Sequence, residues 1–111
     1  MKLLTKEILK KLPNIGETAE LPSDQVKVPL KLFNPIGSGT WYITEYDPEE
    51  RLCFGFANLG DPEMAELGYI SLTELESVRL PLGMKIERDM YFGFNHTLKE
   101  VIETVKAGKH I

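Results

Sequence analysis

The feature that most constrains the fold is a pair of strand-like segments joined by a short turn. Residues 40–46 and 51–57 are rich in aromatic and β-branched side chains, which favour strands. Between them, Asp47-Pro48-Glu49-Glu50 places Asp first and Pro second, which is the chemistry of a type I turn. The sequence therefore predicts an antiparallel β-hairpin at the centre of the chain.

The four-residue turn also predicts a register, because loop length sets which residues of a hairpin face each other. One face then pairs Trp41, Ile43 and Glu45 with Phe56, Phe54 and Leu52, respectively. The other face pairs Tyr42, Thr44 and Tyr46 with Gly55, Cys53 and Arg51. We therefore expect one packed apolar face and one accessible polar face, although a one-residue bulge would exchange the faces beyond it.

Further elements flank the hairpin on both sides. Thr5 is a suitable N-cap for a helix over 6–12, which Pro13 ends. Apolar residues alternate along 26–32, which predicts a half-buried strand, and Pro29 favours a sheet edge for it. Residues 58–68 are predicted to form a loop.

Two capping boxes predict the remaining helices. Ser71-Leu72-Thr73-Glu74 opens a helix over 72–78, and Thr97-Leu98-Lys99-Glu100 opens one that ends at Ala107. Between them, residues 85–92 are predicted to form a fourth strand. The sequence thus predicts an α+β fold with three short helices on one face of a mainly antiparallel sheet of about four strands, in the order α-β-β-β-α-β-α.

Composition limits the class of protein. The chain has 111 residues, of which 42% are hydrophobic and 27% charged, so residues 1–111 are expected to form a single domain. Cys53 is the one cysteine, which excludes an internal disulfide and a cysteine zinc cluster. No signal peptide or bilayer-spanning stretch is evident, so a cytoplasmic protein without membrane contact is expected.

Charge is distributed unevenly along the chain. Residues 1–44 and 77–111 each carry a net charge of +2, whereas residues 45–76 contain nine acids and one base, a net charge of −8. Such an acidic block repels a phosphate backbone. It favours either a solvated surface or a patch presented to a basic protein partner.

Polar clusters offer few signs of catalysis. Glu87 and Asp89 share one face of the predicted fourth strand and are weak candidates for a divalent cation site, but no third ligand is evident. Arg88 faces the opposite, apolar side, and we expect it to form a semi-buried ion pair with Glu45. Neither the Gly37-Ser38-Gly39 turn nor His96 lies in a pattern typical of phosphate binding or nucleophilic catalysis. No cofactor is expected.

The polar face of the hairpin is the candidate surface for binding a partner. It carries Tyr42, Thr44, Tyr46 and Arg51, and tyrosines are enriched in protein interfaces. Its main alternatives are a single-stranded nucleic-acid site, with bases stacked on the two tyrosines, and a structural role beneath other elements. A third hypothesis is a small metal-dependent hydrolase or nucleotide-binding protein built around Glu45, Asp47, Glu87 and Asp89.

Three stretches resemble a known family: residues 1–7, the strand TWYITEYD over 40–47, and GYISLTELESVRLPLGMKIERDMYF over 68–92. Together they are similar to small bacterial proteins of the domain-of-unknown-function family numbered twenty-nine fifty-eight. That family typically has Gly where this chain has Leu80. The resemblance implies an accessory protein of plasmids, phages or conjugative elements and implies no catalytic residues.

The sequence therefore favours a non-enzymatic interaction protein of a mobile genetic element. We expect it to modulate a host or defence component through the acidic, tyrosine-bearing surface.

Overall fold

A computed structural model describes residues 2–111 as an α+β fold built on one antiparallel sheet of five strands. The strands are β1 (Leu30–Phe33), β2 (Thr40–Asp47), β3 (Leu52–Asn58), β4 (Glu66–Ser71) and β5 (Glu87–Arg88). The helices are α1 (Lys6–Lys11), α2 (Leu72–Ser77) and α3 (Leu98–Lys106). The spatial order is β4-β3-β2-β1-β5, so the predicted hairpin lies at the centre of the sheet.

The three helices form where the capping residues predict them. Side-chain oxygens of Thr5, Ser71 and Thr97 accept hydrogen bonds from the backbone N–H groups of Ile8, Glu74 and Glu100, respectively. Each bond satisfies a donor that the first helical turn leaves unpaired. Local sequence is therefore sufficient to place these helix starts.

The strands differ from the prediction in number and extent. The expected loop over 58–68 contains the start of β4, so the sheet has five strands rather than about four. The expected strand over 85–92 shortens to the two residues of β5. The expectation of an edge position for the strand bearing Pro29 is wrong, because β1 begins at Leu30 and lies between β2 and β5.

The chain around Pro29 changes from one face of the sheet to the other. Val28 donates its N–H to the His96 oxygen at 2.9 Å, and the Leu98 N–H donates to the Val26 oxygen at 2.8 Å. Val26 and Val28 thus pack with α3, whereas Leu30 and Leu32 belong to the opposite core. All four residues are buried, as the period-two pattern predicts. However, Val26 and Val28 precede β1, whereas Leu30 and Leu32 belong to it.

Helices cover both faces of the sheet, which corrects the expectation of a single covered face. Adjacent residues of a strand point to opposite faces, and Tyr42 and Ile43 accordingly lie in different cores. One core, covered by α1 and α2, includes Ile8, Leu30, Leu32, Ile43, Tyr46, Cys53, Leu72 and Leu75. The other, covered by α3, includes Val26, Val28, Tyr42, Phe56, Leu98, Val101 and Val105.

A β-bulge at Thr44 decides which hairpin residues enter which core. Ile43 pairs with Gly55, whereas Glu45 pairs with Phe54, so Thr44 is the extra residue of β2. The turn also begins one residue later than predicted: Asp47 pairs with Leu52, and Arg51 ends the turn with a φ of 51°. The predicted pairs, such as Trp41 with Phe56, are therefore wrong, and Trp41 lies opposite Ala57.

Gly55 permits the close approach of the strands beside this bulge. A Cβ atom at this position would lie 2.0 Å from the backbone oxygen of Tyr42, a distance that no side chain tolerates. Gly68 in β4 is a useful contrast, because a Cβ atom there has no neighbour within 4 Å. Of these two strand glycines, Gly55 beside the bulge is therefore the sterically restricted one.

We predict that Gly55→Ala destabilises the protein by about 3 kcal/mol or more, because the methyl group forces β2 and β3 apart. The matched substitution Gly68→Ala should change the free energy of unfolding by less than about 0.5 kcal/mol. Urea unfolding followed by circular dichroism measures both. Equal stability of the two variants would contradict the role assigned to Gly55.

Candidate functional site

The structure buries the tyrosines that were expected to form an accessible face. Tyr42 and Tyr46 are 4% and 5% exposed, and Thr44 is 2% exposed. Because the bulge at Thr44 lies between the two tyrosines, their rings enter opposite cores. The expectation of a shared, solvent-facing tyrosine surface is therefore wrong, and these rings are not available for stacking bases.

The surroundings of Tyr42 account for its burial. Its hydroxyl donates to the Ile111 main-chain oxygen at 3.3 Å, and its ring lies 6.0 Å from that of Phe92. Burial and, to a smaller extent, the negative charge of Asp89 raise the pKa of Tyr42 to about 12. Tyr42 is thus a neutral core residue whose phenol holds the end of the chain.

We predict that the Tyr42 phenol ionises with a midpoint of about 12, well above its ordinary value of 10.0. Because the folded state favours the neutral form, its contribution to stability is full below the ordinary pKa and is lost as pH rises through the folded one. Ultraviolet titration of the wild type minus that of Tyr42→Phe should isolate this single phenol. A midpoint close to 10 would contradict its burial.

Arg51, the fourth residue of the expected surface, lies at the turn and is half-buried. Its guanidinium forms an ion pair with Glu76 at 2.6 Å and donates to the Thr73 hydroxyl at 3.4 Å. Arg51 therefore joins the hairpin turn to α2. It does not share a surface with Tyr42.

Glu45 and Arg88 do not form the expected ion pair. Arg88 lies opposite Leu32, and its guanidinium donates to the Lys2 main-chain oxygen, on the side of the sheet covered by α1 and α2. Glu45 lies opposite Phe54, and the two residues line a cavity with Leu98 on the α3 side. The bulge turned Glu45 to the face opposite that of Arg88.

Glu45 instead binds the segment that precedes β1. One carboxylate oxygen accepts the Gly16 N–H at 2.9 Å, and the other accepts the Thr18 N–H at 2.9 Å and the Thr18 hydroxyl. Burial raises the pKa of Glu45, but these three hydrogen bonds outweigh it and lower the pKa below its ordinary value. The ionised carboxylate thus holds the segment 14–21 against the sheet.

We predict that Glu45→Gln lowers the free energy of unfolding by about 2 kcal/mol at neutral pH, because charged hydrogen bonds to Gly16 and Thr18 are lost. The wild type should lose this advantage as pH falls below the ordinary value of 4.5 and through the lower pKa of the folded state. Chemical unfolding at several pH values measures the difference. The exposed Glu66 serves as the control through Glu66→Gln, and a difference that does not shrink in acid would contradict this account.

The four acids of the hypothetical metal site are not brought together. Asp89 pairs with Lys31 at 3.5 Å, and Asp47 accepts the Glu49 N–H at 2.9 Å within the hairpin turn. Glu87 lies on β5, which β1 separates from β2. In the part of the chain that the structure describes, residues 2–111, no group of three or more His, Cys, Asp or Glu is placed to hold a metal ion.

The structure also shows the environment of Cys53 and of the turn around Leu80. Burial raises the pKa of the Cys53 thiol to about 12, so Cys53 packs as an apolar residue. Leu80, where the resemblance implies Gly, has a φ of −100°, so the backbone there does not require glycine. Leu82 has a φ of 62° in the same turn and is 94% exposed.

Among residues 2–111, no helix is long and apolar enough to cross a bilayer.

The comparison with family models matches residues 3–111 to the family described as a protein of unknown function, DUF2958. The chain belongs to this family. The resemblance stated from the sequence is thereby confirmed. The comparisons with curated proteins and with solved structures gave no match.

Two sites that the sequence did not reveal remain as candidates. The first is the outer edge of β4, where Leu67 and Tyr69 are 44% and 65% exposed. The second is the cavity beside Glu45, which the segment 15–23 helps to enclose. The alternation of Leu67, Tyr69 and Ser71 with Gly68 and Ile70 was a signal for β4.

Proposed function

We propose that this DUF2958 protein is a non-enzymatic interaction protein that binds a basic, extended segment of a protein partner along β4. A partner strand would extend the sheet through backbone hydrogen bonds, as in β-strand addition. The observation that carries the proposal is the accessible edge of β4 beside exposed apolar side chains. We call this surface, formed by β4 with Leu59 and Met64, the β4 edge.

The position of β4 supports this mode of binding. β4 has six residues and pairs with β3 on one side only. Among residues 2–111, no other strand pairs with its outer side. An outer strand presents unpaired N–H and C=O groups, which is the requirement for adding another strand.

The side chains around this edge are unusually apolar for a surface. Leu59 is 70% exposed, Met64 74% and Tyr69 65%, and Leu67 lies between Met64 and Tyr69 along the chain. Methionine adapts its shape to a partner, and tyrosine buries a large area at low entropic cost. The patch is therefore suited to anchor the partner segment that the backbone aligns.

Charge favours a basic partner over a second copy of this chain. The acidic block 45–76, with its net charge of −8, includes β3, β4 and α2, and so contains the strand that forms the β4 edge. Asp61, Glu63 and Glu66 are exposed beside the patch. Two copies would present like charges to each other, whereas a lysine- or arginine-rich segment is attracted.

The biological context is part of the same proposal. The resemblance described from the sequence adds an accessory role for a mobile genetic element, in which the partner is a host or defence component. Affinity purification from the native host, followed by mass spectrometry and reconstitution with the purified partner, identifies that component.

We predict that Met64→Ala combined with Tyr69→Ala weakens binding of the reconstituted partner by roughly 10- to 100-fold, because both side chains are anchors in the interface. The matched control is Met90→Ala combined with Tyr91→Ala. These residues are 61% and 93% exposed but lie after β5, at the other end of the sheet. Isothermal titration calorimetry measures the affinity for the partner. Repeating it at a second salt concentration shows how much of that affinity is electrostatic.

The proposal is overturned if the two double variants bind the partner equally well. It is also overturned if the affinity does not fall with added salt, or if the bound partner segment lacks basic residues. Self-association of the wild type that the Met64 and Tyr69 substitutions abolish would assign the β4 edge to a second copy instead.

A further inference from the structure

A second candidate site is the cavity that lies between the sheet and α3. It has a volume of about 370 Å³ and is bounded by β2, β3, β4, α3 and the segment 15–23. Its walls are mainly apolar and include Ile15, Leu21, Phe54, Leu67, Tyr69 and Ile102. The volume lies at the lower end of the range for small-molecule sites, so it suits a ligand of a few to a dozen heavy atoms.

One ionised side chain lines this apolar cavity. Glu45 is 4% exposed, and its carboxylate accepts three hydrogen bonds, all from Gly16 and Thr18. A carboxylate has about four acceptor positions, so one remains for a ligand. None of the ion pairs in the described part of the chain, residues 2–111, includes Glu45. Its negative charge is therefore balanced by neutral donors alone.

Aromatic rings add to the affinity of the cavity for a cation. The rings of Phe54 and Tyr69 lie 5.2 Å apart at an interplanar angle of 69°, so the face of one meets the edge of the other. The ring faces carry the negative part of the aromatic quadrupole, which attracts a cation. These rings and the Glu45 carboxylate line the same cavity.

We propose that this cavity binds a small organic cation, a guanidinium, amidinium or primary ammonium group carried on an apolar body. The charged group would donate to Glu45, and the apolar body would contact Ile102 and Leu67. An anion would be repelled by Glu45, and a neutral apolar ligand would cover the carboxylate without supplying a donor. The same chemistry is found in free amines and in an arginine side chain of a peptide.

This inference is independent of partner binding at the β4 edge, because it depends on Glu45 and not on the outer side of β4. Substitution of Glu45 therefore tests the cavity alone. Although Leu67 and Tyr69 contribute to both surfaces, Met64 is not among the residues that line the cavity.

The test is an NMR titration of the ¹⁵N-labelled full chain with benzamidine, and with its neutral isostere benzamide as the control ligand. We expect benzamidine to shift the amide signals of Gly16, Thr18 and Tyr69 saturably, with roughly millimolar affinity. Benzamide should bind at least about 10-fold more weakly, because it lacks the charge-assisted hydrogen bond. A third titration, with acetyl-Leu-Arg-Leu-amide, distinguishes a peptide arginine from a free amine as the ligand of this cavity. Tighter binding of the peptide than of benzamidine indicates a peptide arginine, and weaker binding indicates a free amine.

Two variants and one control locate the site. Glu45→Gln should abolish binding of benzamidine, whereas Glu66→Gln, which changes an exposed acid outside the cavity lining, should retain it. Because Glu45→Gln also removes the hydrogen bonds that hold the segment 14–21, Ile102→Trp is the second test: it fills the cavity and leaves the carboxylate and its hydrogen bonds in place. The proposal is overturned if neither cation gives saturable shifts up to about 10 mM, if benzamide binds as well as benzamidine, or if Ile102→Trp binds unchanged.

Discussion

The bulge at Thr44 is the constraint on which the rest of the structure depends. Without it, Tyr42 and Tyr46 would share a face, since residues four apart on a strand point the same way. With it, each tyrosine enters a different core, and Glu45 turns to the α3 side of the sheet. Gly55 makes this geometry possible, because the opposing backbone lies where any larger residue would place its Cβ atom.

The consequence is a sheet that is packed on both faces and has little polar surface on its central strands. The acidic residues of 45–76 therefore lie mainly in turns, in α2 and around β4. Basic side chains such as Lys31 and Arg88 belong to the opposite end of the sheet, where Lys31 pairs with Asp89. The exposed acids Asp61, Glu63 and Glu66 thus lie at the β4 end of the sheet, together with Lys106, which donates to the Ala65 oxygen.

Glu45 shows how a single buried charge organises a segment without regular structure. Residues 14–21, between α1 and β1, form turns and are mostly exposed. Hydrogen bonds from Gly16 and Thr18 to the carboxylate attach this segment to the sheet, and the Tyr46 N–H donates to the Pro13 oxygen at 2.9 Å. The attachment places this segment along one side of the cavity that the same carboxylate lines.

Local signals predicted what depends on neighbouring residues. The N-caps Thr5, Ser71 and Thr97 and the two hairpin strands depend on signals that act over a few residues, and these elements form as expected, although the hairpin turn begins one residue later. The sequence did not predict β4, because Gly68 and the acids before it are typical of a loop. The strand forms because it pairs with β3, and this pairing supplies stability that the strand propensity of its own residues does not.

The sequence by itself determined the α+β class, the helix starts, the central hairpin, the charge asymmetry and the family resemblance. Only the tertiary structure decided the faces, the partners of Glu45 and Arg88, and the location of exposed apolar residues. The physical reason is that a one-residue bulge has no distinct local signature, yet it inverts every side chain beyond it. The burial of both faces follows from the packing of helices that are distant in sequence, and this packing lies outside the range of a local pattern.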